Sequence, residues 1–131
     1  MPLLKHVISK ECKEYVPNSE VSRQEIQNNL EKAVASLGDE GADDFLKMAS
    51  QMLKESVENL HISIDKHDVE SCIHYAHKLR GSSNLYASNI LKDILLEFIE
   101  QPAVAISNLD KCKILVCEFE LVLSLLKSKQ L

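Results

Sequence analysis

Residues that form turns and aromatic cores are scarce in this sequence. It has no tryptophan, three glycines and three prolines among 131 residues, and only 5% of the residues are aromatic. β-Sandwiches and β-barrels need a turn after every short strand, so this scarcity argues against them. With 45% hydrophobic residues, the core must be built mainly from aliphatic side chains, and the length fits one compact domain. The composition therefore predicts an all-α protein.

Basic charge, long apolar runs and Cys-x-x-Cys motifs are also lacking. The formal net charge of −5 removes the basic surface on which nucleic-acid binding depends, so no nucleic-acid partner is expected. No uncharged apolar stretch approaches the roughly 18 residues of a membrane span, and the N-terminus lacks the pattern of a signal peptide. The four cysteines show no Cys-x-x-Cys spacing. These observations predict packing cysteines, no membrane contact and a reducing, cytoplasmic location.

Helical periodicity begins at about residue 21. Residues 1–20 show no convincing period and are predicted to be a lead-in or linker, whereas residues 21–131 are the predicted helical domain. Ser22 and Glu25 have the spacing of a capping box, so we expect the first helix to begin at Ser22. It is expected to end at Gly38, because glycine tolerates the left-handed conformation that closes a helix.

Four further helices follow from the spacing of apolar residues. The second is predicted to begin near Gly41, and the third to follow its N-cap Asp68. The fourth should end before Pro102, and the last runs through Leu109 to Leu126. Short connections make such helices antiparallel neighbours, which predicts an antiparallel up-down four-helix bundle with an additional N-terminal helix packed across one end. The broad apolar face of the second helix comprises Phe45, Leu46, Met48, Ala49, Met52, Leu53, Val57, Leu60 and Ile64.

A basic segment stands out on this acidic chain. No Asp or Glu occurs between residues 71 and 92. Lys78, Arg80 and Lys92 give this segment a charge of +3. At 100° per residue, His77 lies roughly 110° from the centre of the apolar face of its helix, so we expect it at the edge of the core and reachable from outside. Neutral imidazole is a competent nucleophile near pH 7, since its unperturbed pKa is about 6.5, and a histidine that accepts a phosphoryl group is the consistent interpretation.

Arg80 and Gly81 support this interpretation. Arg80 follows His77 by three residues, and its guanidinium presents donors that pair with phosphoryl oxygens. A glycine inside a helix costs up to about 1 kcal/mol relative to alanine, so Gly81 needs a reason. We expect its missing side chain to let the surface of another protein approach the imidazole.

The basic segment contains a seven-residue motif, His77-Lys78-Leu79-Arg80-Gly81-Ser82-Ser83. It matches every fixed position of the pattern His-x-Leu-Lys/Arg-Gly-Ser-Ser/Ala, and on this run the sequence resembles the histidine phosphotransfer (HPt) domains of bacterial and eukaryotic multistep phosphorelays. The resemblance covers about residues 22–128 of the chain. It departs downstream of the motif, where many members have a glycine and this chain has Tyr86-Ala87.

The resemblance implies a role for most residues of the motif. His77 would be phosphorylated, Arg80 would stabilise the phosphoryl group, and Gly81 would leave room for a docking receiver domain. Ser82 and Ser83 would support the local helix geometry.

Further docking contacts are expected from Lys78, His74 and Asn84. Lys78 would attract the acidic active site of a receiver domain. His74 is expected to be a surface neighbour that tunes the local charge. Asn84, two turns on from His77, would contact the rim of the partner.

The resemblance implies a phosphorelay intermediate of two-component signal transduction. His77 would accept a phosphoryl group from the aspartate of one receiver domain and pass it to the aspartate of another. The expected partners are response-regulator receiver domains, including one within a hybrid sensor histidine kinase, and the chain is expected to be a monomer. It should need no cofactor of its own, because the Mg²⁺ of the reaction is expected on the receiver. An autonomous ATP-dependent kinase is not expected, since the sequence has no glycine-rich phosphate loop.

Two other interpretations of the same residues remain. In one, the chain is a non-catalytic helical protein-interaction module in which His77 is incidental. In the other, His67, His74 and His77 bind a metal ion, but a site needs three or four ligands and no Cys or acid shares that helix face, so no metal is predicted. The last helix is apolar on more than one side between Leu121 and Leu126. Burial by the first helix or the lead-in is the first interpretation of this crowding, and a homodimer face is the second.

Overall fold

The computed structural model describes residues 19–129, and every regular element in that range is helical. The all-α class is therefore confirmed for this part of the chain. Of the predicted lead-in, residues 1–18 lie outside the described range, and residues 19 and 20 belong to the first helix. The elements are α1 (Ser19–Asp65), α2 (Val69–Gly81), a short 3₁₀ turn (Ser83–Leu85), α3 (Asn89–Glu100), α4 (Pro102–Ser107) and α5 (Leu109–Lys129).

Gly38 interrupts α1. Its backbone, at φ 75° and ψ 172°, lies outside the helical region, in a conformation that favours glycine over residues with a side chain. The prediction that the first helix ends here is confirmed. The next helical residues follow at once, rather than from near Gly41 as predicted. We therefore distinguish α1a (residues 19–37) from α1b (residues 39–65).

The predicted start of the first helix at Ser22 is wrong. Helix α1 begins at Ser19, and Ser22 lies inside it on the buried side, with the buried Ile26 one turn on. Glu25, the expected partner in the capping box, reaches the start of α3 instead. Its Oε1 atom accepts a hydrogen bond from the backbone N–H of Asn89 at 3.3 Å. Both residues that local spacing had assigned to a cap are thus used in contacts between helices instead.

Asp68 caps α2 as predicted. Its Oδ1 atom accepts a hydrogen bond from the backbone N–H of Ser71 at 3.2 Å, and its Oδ2 atom accepts one from the Ser71 hydroxyl at 2.8 Å. These hydrogen bonds stabilise the ionised carboxylate and hold the pKa of Asp68 below its usual value. Helix α3 ends at Glu100, before Pro102, also as predicted. Pro102 then begins the short helix α4, which was not predicted.

One core of mainly aliphatic side chains joins the helices. Helix α1 packs against α2 and α5, α2 packs against α3, and α3 packs against α5. These helices surround a single cluster of buried residues, as in a helical bundle. The largest fully buried side chains are Phe98, Phe119, Ile26, Leu30, Leu53, Leu60, Leu79, Leu91, Leu95, Ile106 and Leu115.

The buried face of α1b is narrower than predicted. Leu46, Leu53 and Leu60 are buried as expected, but the side chains of Met48 and Met52 are 73% and 42% exposed. Met48 follows Leu46 by two residues, which turns its side chain to the other side of the helix. The prediction that the two methionines widen the buried face is wrong, and they form part of the surface.

Cys72 and Cys112 pack as small hydrophobic residues, as predicted. Both are buried free thiols. Burial raises the pKa of Cys72 to about 12 and that of Cys112 to about 11, so both stay protonated and unreactive at neutral pH. Cys117 is disulfide-bonded, so the prediction of a free packing cysteine is wrong for that residue, and Cys12 lies outside the described residues.

The crowded apolar end of α5 is covered within the chain. Val122 and Leu126 are buried, and Leu121 and Leu123 are partly buried against the core. Most of this apolar surface is therefore buried within the chain. None of the helices within residues 19–129 has the length and apolar character that crossing a membrane requires.

Candidate functional site

Helix α2 presents His77 at its surface. Cys72, Ala76 and Leu79 face the core and are almost completely buried, which sets the orientation of the helix. His77 follows Ala76 by about 100° around the helix axis and is exposed. The expectation that its imidazole can be reached from outside is confirmed.

The predicted docking residues share one side of α2. The spacing from His74 is three residues to His77, four to Lys78 and seven to Gly81. This spacing places all four residues on one helix face. All four are exposed. Arg80 lies one turn after His77 and is exposed too. We call these five residues the His77 face.

Asn84 extends this surface beyond the end of α2. It lies in the 3₁₀ turn that follows the helix, and its side chain is exposed. Ser82 lies between the two elements and is partly buried, whereas Ser83, the first residue of the turn, is buried. The two serines therefore lie behind the surface on which His77 and Asn84 are displayed.

Three hydroxyl groups hold the end of α2. The Ser82 hydroxyl donates to the carbonyl oxygen of Leu79 at 3.3 Å, and the Ser83 hydroxyl donates to that of Arg80 at 2.7 Å. The hydroxyl of Tyr86 donates to the same Leu79 oxygen at 2.6 Å. The last carbonyl groups of a helix have no partners within it, so these side chains satisfy groups that the helix leaves open.

Tyr86 belongs to the site because it holds the end of α2. In the sequence it stood out only as a departure from the HPt pattern. Its side chain is buried, and the edge of its ring meets Phe119, with ring centroids 6.5 Å apart. Burial raises the pKa of Tyr86 to about 12, so the hydroxyl keeps its proton and remains a donor at neutral pH. Helical periodicity could not have found this residue, because it lies in a segment without a regular helix.

Gly81 is required neither by its backbone nor by internal packing. It is the last residue of α2 rather than an interior one, so the energetic cost expected for a glycine inside a helix applies less strongly here. A Cβ atom at this position would meet no atom within 4 Å, and Gly38 is the one glycine with a positive φ in the described range. The space beside Gly81 therefore opens towards the outside of the molecule.

Lys78 and Arg80 are available to an incoming anion. Both side chains are exposed, and neither forms an ion pair with another residue between 19 and 129. A phosphoryl group at His77 would therefore meet two cations that the fold does not already use.

Acidic groups from other helices meet the basic segment near its end. Glu25 of α1a accepts hydrogen bonds from the backbone and the side-chain amide of Asn89. The buried Glu118 of α5 accepts a hydrogen bond from the hydroxyl of Ser88, which is also the N-cap of α3. The segment that lacks acids in the sequence therefore receives them through tertiary contacts, at the start of α3.

An apolar cleft adjoins the end of α2. Its volume is about 190 Å³, and it lies between α1 and the segment that follows Gly81. The exposed side chains of Met48, Met52 and Leu85 surround it, and Ser82 and Tyr86 contribute to its wall. The sequence did not reveal this cleft, because helical spacing had assigned both methionines to the core.

No metal centre is formed by the described residues. Between residues 19 and 129, no group of three or more His, Cys, Asp and Glu side chains lies close enough to hold a metal ion. The imidazoles of His74 and His77, one turn apart on α2, thus lack a third ligand in that range.

Comparison with known proteins adds no assignment: no family model matches the chain, and no curated protein or solved structure matches it significantly. The function therefore has to be argued from the motif and from the surroundings of its side chains.

Proposed function

We propose that this protein is a phosphorelay intermediate that carries a phosphoryl group on His77. The observation that carries the proposal is the display of the motif: His77, Lys78, Arg80 and Gly81 are all exposed on α2, while the buried residues between them anchor the helix. A sequence match alone would leave their accessibility open.

The chemistry is a transfer between a receiver aspartate and the imidazole. A ring nitrogen of His77 that bears no hydrogen attacks phosphorus, the bond from phosphorus to the aspartyl oxygen breaks, and the carboxylate leaves. The reverse sequence passes the group to a second receiver. Such in-line transfer depends on positioning and on neutralising the charge of the phosphoryl oxygens. Arg80 and Lys78 supply positive charge from this chain, and the Mg²⁺ belongs to the receiver.

The surroundings of His77 suit a protein partner. Gly81 leaves open space one turn after the histidine, and Asn84 and His74 flank it on the exposed side. The apolar cleft offers surface that a partner could cover, because Met48 and Leu85 beside it are exposed. Receiver domains of response regulators, including one within a hybrid sensor kinase, are the partners we propose.

The helix arrangement we infer is an antiparallel up-down bundle of α1b, α2, α3 and α5, with α1a packed across one end. Its support is the closed cycle of neighbours, since α1 packs on α2, α2 on α3, α3 on α5, and α5 on α1. The turn between α1b and α2 is also short, at residues 66–68, and short connections favour antiparallel neighbours. As part of the same proposal, the protein is a monomer, is located in the cytoplasm and has no cofactor of its own.

A non-catalytic interaction module is the second candidate. The apolar cleft and the exposed methionines favour it, because such surface binds partners without any group transfer. In that case partner binding would be indifferent to phosphorylation and would survive His77→Gln.

Phosphoryl transfer from phosphorylated receiver domains distinguishes the two candidates. We expect acid-labile, base-stable label on the wild type and none on His77→Gln. The matched control is His74→Gln, which removes the imidazole one turn earlier on the same exposed face and should retain the label. Label on neither wild type nor variant, from receivers that phosphorylate another HPt protein, would favour the interaction module. Equal label on wild type and His77→Gln would mean that another residue is the acceptor.

A further inference from the structure

The disulfide bond of Cys117 on α5 identifies its own partner by elimination. Cys117 is disulfide-bonded, whereas Cys72 and Cys112 are free thiols. The sequence contains four cysteines, so within one chain Cys12 is the cysteine that remains for Cys117. The phosphoryl transfer proposed above uses neither of these two residues.

Cys117 lies on the outer side of α5. It follows Leu115 by two residues, which turns its side chain about 200° around the helix axis, away from the core in which Leu115 is buried. Such a position on a bundle helix ordinarily faces solvent, yet Cys117 is only 3% exposed. Its neighbours one turn away, Lys113 and Leu121, are partly buried. Another segment of the chain therefore covers this side of α5.

The segment before α1 is long enough to provide this cover. Cys12 lies seven residues before Ser19, at which α1 begins, and seven Cα–Cα steps span at most about 25 Å. Two packed helices of about 10–12 Å each have this width, and α1 itself packs against α5. A bond between Cys12 and Cys117 brings residues 1–18 of the lead-in onto α5, because the Cα atoms of a disulfide lie about 5.5 Å apart.

We propose that Cys12 and Cys117 form a redox-dependent disulfide that fastens the lead-in to the outer side of α5. For a cytoplasmic chain, as proposed above, glutathione keeps most thiols reduced, and the disulfides that do form there are usually transient or redox-sensing. The pairing itself is independent of phosphoryl transfer, since neither cysteine belongs to the His77 face.

Thiol–disulfide exchange with glutathione disulfide forms the bond. The thiolate of one cysteine attacks a sulfur of glutathione disulfide, and one glutathione leaves as a thiolate. The thiolate of the other cysteine then attacks the sulfur of the first cysteine in the mixed disulfide, and the second glutathione leaves. The two protons released by the cysteines end on the two glutathione thiolates, so the protein dithiol is oxidised and glutathione disulfide is reduced. Cys72 and Cys112 do not compete, because burial raises the pKa of both thiols and keeps them protonated.

Thermal unfolding of the full chain, oxidised with glutathione disulfide, tests the bond. A cross-link between residues 12 and 117 restricts the unfolded chain over most of its length. We expect dithiothreitol to lower the melting temperature of the wild type by about 10 °C. Cys12→Ala should melt at the temperature of the reduced wild type and should not respond to dithiothreitol. A wild type that does not respond, or a Cys12→Ala variant that still does, would overturn the proposal.

Cys112→Ala is the matched control. It removes a buried free thiol of the same helix, so it should melt below the wild type. Its response to dithiothreitol should nevertheless equal that of the wild type. Loss of the response in this variant would assign the disulfide to Cys112 and would overturn the proposal.

Peptide mapping identifies the paired cysteines directly. Trypsin cleaves after Lys113 and so separates Cys112 from Cys117. From the oxidised protein we expect peptides 11–13 and 114–127 as one cross-linked species, which reduction separates into two. A different pair of peptides, or a disulfide-linked dimer of the chain, would contradict the assignment.

Discussion

The residues of α2 form two groups: some pack in the core and orient the helix, and others are exposed and make no contact that the fold depends on. The helix is anchored in the core by Cys72, Ala76 and Leu79. The side chains of His77 and Arg80, in contrast, are exposed and form none of the hydrogen bonds that hold the end of the helix. Exposed cationic and imidazole groups with no structural partner cost the fold little when they are replaced. Function at these positions can therefore be tested without loss of the structure.

Replacement of Gly81 by alanine separates docking from folding. A Cβ atom there meets nothing within 4 Å, and alanine favours the helix, so the free energy of unfolding should stay constant or rise by less than about 1 kcal/mol, because Gly81 ends the helix. Transfer from a receiver should slow by about tenfold, because a displaced partner loses its in-line geometry. Thermal unfolding and single-turnover transfer measure the two effects. An unchanged transfer rate would show that Gly81 does not provide clearance.

At the scale of elements, the end of α2 is held by residues outside the helix. The hydroxyl of Tyr86 and that of Ser82 both donate to the carbonyl oxygen of Leu79, and the ring of Tyr86 meets Phe119 on α5. The segment after the motif thus joins α2 to α5. At Tyr86, where the sequence departs from the HPt pattern, the buried tyrosine connects α2 with α5.

Tyr86→Phe tests this connection. The variant keeps the ring and removes the hydrogen bond to Leu79, so we expect the free energy of unfolding to fall by about 1 kcal/mol and transfer to His77 to slow. Chemical denaturation and transfer kinetics measure both. The control is Tyr75→Phe, which removes a hydroxyl on α2 that makes no hydrogen bond within residues 19–129. If the two variants lost equal stability, the hydrogen bond from Tyr86 to Leu79 would contribute nothing specific to the free energy of unfolding.

At the scale of the whole molecule, stability is coupled to pH through His61. Its pKa is lowered from 6.5 to about 4 in the fold, mainly by burial. The unfolded chain therefore binds the proton more readily than the folded one, and acid favours unfolding. The contribution is fully present above pH 6.5 and is lost as the pH falls from there through 4.

The expected loss over that window is about 3 kcal/mol, since each pKa unit corresponds to about 1.4 kcal/mol. Urea denaturation at a series of pH values between 7 and 4 measures it, and His61→Gln should flatten the profile in that range. A wild-type profile as flat as that of the variant would show that His61 does not titrate in the way its burial implies. Asp68, whose pKa is lowered from 3.8, contributes only at lower pH.

The sequence predicted the local features of this protein well. The helix break at Gly38, the N-cap Asp68 and the end of α3 before Pro102 depend on the conformational preferences of single residues and their immediate neighbours. The exposure of His77 follows from the periodicity of its own helix. All of these are confirmed, because nothing distant in the chain competes with them.

Only the tertiary structure decided which partners meet across the bundle. Ser22 and Glu25 had the spacing of a cap, yet one is buried and the other binds Asn89, 64 residues away. The exposure of Met48 and the bond from Tyr86 to Leu79 likewise depend on how the helices pack. Local spacing states which residues share a face, but burial and long-range hydrogen bonds depend on which element covers that face. The motif could therefore be identified from the sequence, whereas the apolar cleft beside it exists only because α1 packs against the segment that follows Gly81.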